Sequence, residues 1–157
     1  MAAGVTLRKD ALNSFRAYLE AALGGAVEAA RREHALLIDG AITAAAANAD
    51  TVKMIAHAGP FGAGSPEPII VLPAHTVVYA EDVGQAHTRV RLRAADGAVI
   101  SAIAFRAVGQ KLGAALAASR GQSVHAAGAL SLDQWNGADR VQLRLMDIAP
   151  ADASYPG

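Results

Sequence analysis

From Thr76 to Ile148 the hydrophobic pattern repeats every two residues, and only one short helical segment interrupts it. A period of two puts alternate side chains on opposite faces of a strand, so this stretch must build a sheet with one buried face. Thr76–Ala80, His87–Ala94 and Ala98–Phe105 are predicted strands, with Asp96-Gly97 as a tight hairpin turn between the last two. Val108–Ser119 then reads as a helix with Leu112 and Leu116 facing inward and Gly121 as its stop. Ser123–Leu132 and Arg140–Ile148 complete the set, joined by a polar turn, Asp133-Gln134-Trp135-Asn136-Gly137.

The order strand, strand, strand, helix, strand, strand is that of the OB-fold, a partly open five-stranded barrel. Pattern alone leaves an SH3-like barrel or an open α+β sheet in play. The predicted class is α+β, mainly β: a five-stranded OB barrel preceded by amphipathic helices.

Upstream the period is helical. Between Lys9 and about Arg32, Leu12, Phe15, Leu19 and Leu23 share one face, and Gly24-Gly25 marks a place for a break. This stripe is too apolar to remain wet, so the helix is expected to dock on something. Leu36–Gly40 reads as a short strand, and Asn48 or Asp50 as the cap of a helix over Thr51–His57. Gly59–Pro68 (GPFGAGSPEP) holds three glycines and three prolines in ten residues, which excludes a helix and a central strand. It is a shaped loop anchored by Phe61.

Composition narrows the chemistry. The 157 residues carry 14 Lys+Arg against 14 Asp+Glu, so any polyanion site must come from local clustering. Cysteine is absent, which removes disulfides, thiolate zinc sites and cysteine nucleophiles, and fits a reducing cytoplasm. No apolar run reaches the roughly 18 residues of a membrane helix. The start, MAAGVTLRKD, lacks the long apolar centre of a signal peptide. A soluble, cytoplasmic protein without membrane contact is expected. The five histidines show no ligand spacing, Ser65 lacks the spacing of a nucleophile elbow, and the glycine-rich loop fits no phosphate-binding signature.

The loop Gly59–Pro68 resembles the proline- and glycine-rich loop that precedes the last OB domain of RecJ-family exonucleases, with Ser65 where that family usually has asparagine. The start, Met1–Thr6 followed by a helix carrying Phe15-Arg16, is similar to the end of the family's DHHA1 substrate domain, although its Gly-Gly-His segment is absent. Ala102–Arg106, Trp135-Asn136-Gly137, Val141-Gln142-Leu143 and Met146-Asp147-Ile148 are similar to strand three and the close of the family's OB domain. The resemblance implies four segments. Residues 1–35 would end a DHHA1-like domain, 36–68 would hold a linker strand, short helix and loop, 69–149 the OB barrel, and 150–157 a tail.

It also implies a parent enzyme that degrades single-stranded DNA from the 5′ end, in DNA repair and recombination, with manganese or magnesium held by a DHH nuclease domain. No Asp-His-His occurs in this chain, so it is expected to be a carboxy-terminal part with no cofactor and no cutting activity of its own. Its partners would be single-stranded DNA and the remaining nuclease domains.

A single-strand binder needs spaced cations and flat groups for bases. Arg89, Arg91 and Arg93 alternate and so share one strand face; they form a phosphate track or a solvated face balanced by Glu81, Asp82 and Asp96. Trp135 stacks a base or plugs the barrel end. Phe105 is expected in the core, with Arg106 beside it as the contact residue, and Arg140 gains interest from its place near Trp135. Tyr79 fits either role, whereas Lys111, Arg120 and Arg144 read as lone solvated cations. Pro60, Phe61, Gly62, Gly64, Pro66 and Pro68 are expected to form a structural clamp. The rival reading is a protein-docking or scaffold module that receives the tail of a single-strand-binding protein or braces the nuclease domains.

A second copy of the chain is one way to cover the stripe of Leu12, Phe15, Leu19 and Leu23, giving a homodimer through that helix. Light scattering at tens of micromolar should then return a dimeric mass; a monomeric mass counts against this pairing.

Overall fold

A computed structural model describes residues 4–33, 36–133 and 140–152, which divide into two compact units, Met1–Leu37 and Ile38–Gly157. The first unit holds a single 3-10 turn, Lys9–Ala11, that runs into helix α1, Leu12–Glu33. The helix passes Gly24-Gly25 unbroken. Glycine costs a helix about 1 kcal/mol relative to alanine, and the surrounding Ala21, Ala22, Leu23 and Ala26 are among the best helix formers. Leu12, Leu19, Leu23 and Val27 are exposed, and Phe15 is half-buried.

The second unit opens with β1, Gly40–Ala41, and α2, Ala49–His57. The first strand lies later than Leu36–Gly40 because pairing begins only at Asp39. That residue's N–H donates to the Ile69 carbonyl at 2.8 Å, and its carboxylate accepts the Ile69 N–H at 2.7 Å. Asn48 caps α2, its side-chain oxygen accepting the Thr51 N–H at 3.0 Å.

Five strands then close the barrel: β2, Ile70–Val83; β3, His87–Arg93; β4, Val99–Ala104; β5, Ser123–Asp133; and β6, Arg140–Pro150. Helix α3, Lys111–Ala118, stands between β4 and β5. The sheet order is β1-β2-β3-β4-β6-β5, and β2 closes the ring by pairing with β5 as well. This is the OB-fold, with one added parallel strand at its edge.

Strand β2 is far longer than the predicted Thr76–Ala80, because Pro73 bends it without ending it. Its first half pairs with β5 through Thr76, and its second half pairs with β3 from Thr76 onward. The register shifts between Leu72 and His75, where Ala74 takes a left-handed backbone with φ 53°. His75, buried at that bend, accepts the buried Ala44 N–H on Nε2 at 3.1 Å and places Nδ1 2.9 Å from the Pro73 carbonyl. The imidazole therefore ties the segment before α2 to the barrel wall. At the other end β6 runs through Ala149 to Pro150, and the Ala151 N–H donates to Ser123.

The core is built from small side chains. Ala80, Ala102, Ala104 and Ala126 are buried beside Leu72, Val90, Leu92 and Leu143. Leu116 of α3 is fully buried and closes one end of the barrel. Gly113 lets the segment that enters α3 pack against the helix, since a Cβ there would overlap the carbonyl of Ala107.

Gly113→Ala separates two opposing effects. Helix propensity favours alanine by about 1 kcal/mol, whereas overpacking costs typically 1–3 kcal/mol. The backbone contact should win, so urea unfolding should show a lower midpoint for the variant; a raised midpoint would mean that α3 can retreat freely.

Candidate nucleic-acid interface

Strand β3 is buried at Thr88, Val90 and Leu92 and exposed at Arg89, Arg91 and Arg93. The alternation follows from the sequence: branched apolar residues turn inward and the three guanidiniums point outward, about 7 Å apart along the strand. Thr88 faces inward at the strand's start, where its hydroxyl donates to Asp82 at 3.0 Å. Asp96 accepts the Ala98 N–H in the hairpin turn at 2.9 Å. Glu81 stands across from Arg89 in register. Among the described residues none of the three arginines forms an ion pair. Their like charges therefore face water, an arrangement that attracts polyanions.

Neighbouring strands widen this face. Tyr79 of β2 is in register with Arg91, whose guanidinium lies 5.9 Å from the ring centre. On β4 the outward positions are Val99, Ser101 and Ile103, opposite Arg93, Arg91 and Arg89. Strand β6 runs parallel to β4 and places Gln142 beside Ser101 and Arg144 beside Ile103. The result is a floor along β4 with arginines on both sides. Strand spacing sets the two columns about 10 Å apart.

Phe105 continues the outward series of β4. It is 55% exposed, which corrects the expectation of a core residue: the strand's parity puts Ala104 inside and its successor outside. Its ring meets the ring of His87 edge-on, with centroids 5.1 Å apart. His87 Nδ1 also accepts the Arg106 N–H at 3.1 Å. One imidazole thus braces an exposed aromatic ring and the cation next to it. Arg106 has a left-handed backbone with φ 55°, a conformation that costs a residue with a Cβ about 1–2 kcal/mol.

Arg140 opens β6 and is exposed on the same outer face as Gln142 and Arg144. Trp135 lies outside the described residues, as does the rest of the turn from 134 to 139. Arg144 is paired with Glu67 of the proline-glycine loop. In that loop the Gly59-Pro60 bond is cis, and Gly62 and Ser65 bridge each other. Phe61 and Pro68 line a cavity of about 220 Å³ with Val52 and Ile55 of α2 and Ala129 and Leu130 of β5. Pro66, Gly62 and Gly64 are exposed. The loop therefore lies against the barrel through Phe61, Pro68 and Glu67.

A second cavity of about 550 Å³, open to solvent beside α3, is lined by Asp82, Thr88, Lys111 and Arg120. The Arg120 guanidinium donates to the Ala80 carbonyl there. These cations share no face with the arginines of β3. No cluster of His, Asp or Glu suited to a metal occurs among the described residues, and no described helix is long and apolar enough to cross a membrane.

The outer face of β3 and β4, flanked by adjoining loops, is the surface with which OB-folds meet oligonucleotides. The family model described as the RecJ OB domain matches residues 38–147. The chain belongs to the RecJ OB-domain family. The match begins where the second compact unit begins, so the RecJ OB domain includes β1, α2 and the proline-glycine loop together with the barrel. The segment that resembles the end of a DHHA1 domain precedes the matched range. A search among curated proteins finds no match.

Sequence reasoning placed Arg89, Arg91 and Arg93 together but missed Phe105 and Arg144. Counting parity along β4 from Val99 would have put Phe105 outside. Arg144 needed the parallel pairing of β4 with β6, which an OB topology implies.

Arg106→Gly tests whether the strained cation serves binding or folding. Removing the Cβ should raise stability by about 1 kcal/mol and weaken oligonucleotide binding. A drop in thermal midpoint would assign the side chain a structural role.

Proposed function

We propose that this RecJ OB domain binds single-stranded DNA along the outer face of β3 and β4 and guides it for a nuclease centre located elsewhere in the parent protein. The observation that supports this most is the column of Arg89, Arg91 and Arg93, with Glu81, Asp82 and Asp96 forming no ion pair with it. Phosphates would run beside β3 while bases rest on β4. Phe105, at the end of β4, supplies a π-face, and base stacking contributes about 1–3 kcal/mol per base. Neither contact reads base edges, so binding should be indifferent to sequence.

This chain has no Asp-His-His and no described cluster that could hold a metal. The family reading assigns catalysis to a DHH domain outside it, with manganese or magnesium in that domain. Work in DNA repair and recombination follows from the same family reading, and the lack of cysteine fits a cytoplasmic location. The neutral net charge limits affinity to roughly micromolar or weaker at physiological salt.

Fluorescence anisotropy of a labelled single strand, with duplex as control, tests the reading. The wild type should prefer the single strand and lose affinity with salt, at a log–log slope of about −0.7 per phosphate contacted. Replacing Arg89, Arg91 and Arg93 together by alanine should weaken binding at least about tenfold and flatten that slope. Phe105→Ala should lower affinity by about fivefold or more with the slope unchanged. Full affinity in the triple arginine variant would remove the track and favour the docking or scaffold role.

A further inference from the structure

Arg144 and Glu67 make the ion pair that the described residues show on the barrel unit. Their side chains are 41% and 49% exposed. A pair this open adds little to stability and exchanges readily with competing ions. The pairing also leaves the guanidinium incompletely used, because its Nε–H is buried without a partner.

Position makes this pair relevant to DNA. Arg144 sits on the same row of the outer face as Arg89, with Ile103 between them. Glu67 comes from the proline-glycine loop, which is held against α2 and β5 through Phe61 and Pro68. The loop thus delivers a carboxylate to the far side of the arginine floor, where it neutralises Arg144 and leaves Arg140 and the arginines of β3 without an ion pair among the described residues.

Resting on the reading of β3 and β4 as a single-strand track, we propose that Arg144 is a further phosphate-binding residue, masked by Glu67. The carboxylate occupies the place of a phosphate group. Glu67 keeps Arg144 out of the track until a backbone phosphate displaces it. The proline-glycine loop then has a regulatory use besides its structural one, since it sets how wide the track is.

The test compares Glu67→Gln with the wild type, using a labelled oligothymidine of about twelve nucleotides. Glu67→Gln should bind about three- to tenfold more tightly at low salt, with a slope steeper by about 0.7. Adding Arg144→Ala to Glu67→Gln should abolish the gain. The charge swap Glu67→Arg with Arg144→Glu keeps the pair but removes the cation at position 144, and should not exceed wild-type affinity. Thermal melts of each variant confirm that the barrel is intact. Unchanged affinity in folded Glu67→Gln, in a protein that still depends on Arg89, Arg91 and Arg93, overturns the masking alone. A gain that survives Arg144→Ala also overturns it. Absence of binding by both wild type and Glu67→Gln overturns the masking together with the track.

Discussion

One strand holds the barrel together. β2 is shared between β5 and β3, and the handover at Thr76 is possible only because the chain turns sharply around Pro73, Ala74 and His75. Proline has no N–H to give to a ladder and is usually found at edges and bends. Here it occupies a place where the partner strand changes. His75 completes the bend by occupying both ring nitrogens with backbone groups. Without that corner β2 would pair along one neighbour and the ring would open.

The small core follows from the same closure. A narrow barrel has space for alanine at Ala80, Ala102, Ala104 and Ala126, and larger residues fill the layers between them. Glycine is needed where two backbones meet. Gly128 lies at the bulge between β5 and β6, and a Cβ there would overlap the Arg144 carbonyl. That contact fixes the backbone of β6 at the position from which Arg144 projects. Packing inside the barrel and cation placement outside it are thus set by one register.

Much of this was legible in the sequence. The change of period after Pro68, the Asp96-Gly97 turn and the helix between the third and fourth barrel strands specify the topology locally. The arginines of β3 were legible because alternation is a property of one strand. Positions that depend on pairing across strands were not. Arg144 reads as a lone cation until β6 is laid parallel to β4. Phe105 reads as core because a large ring after Ala102-Ile103-Ala104 looks like one more buried residue, yet the strand has ended and parity sends the ring out. The length of β2 was hidden by Pro73, whose local meaning as a strand breaker gave way to the tertiary demand for a corner.

A domain with no net charge can still track a polyanion if its field is uneven. Within a Debye length of roughly 8–10 Å, a strand beside β3 meets three guanidiniums that form no ion pair among the described residues, with Glu81 across from Arg89 as the nearest opposing charge and Glu67 two strands away on Arg144. Such contacts are individually weak and break quickly, which would suit the single strand proposed above if it has to slide. If the track is tethered to a nuclease domain, tight binding by the barrel alone is unnecessary, because a linked module acts at a high effective concentration. Weak, salt-sensitive and sequence-blind contacts are then what the geometry favours, and a stronger permanent field would slow the strand's advance.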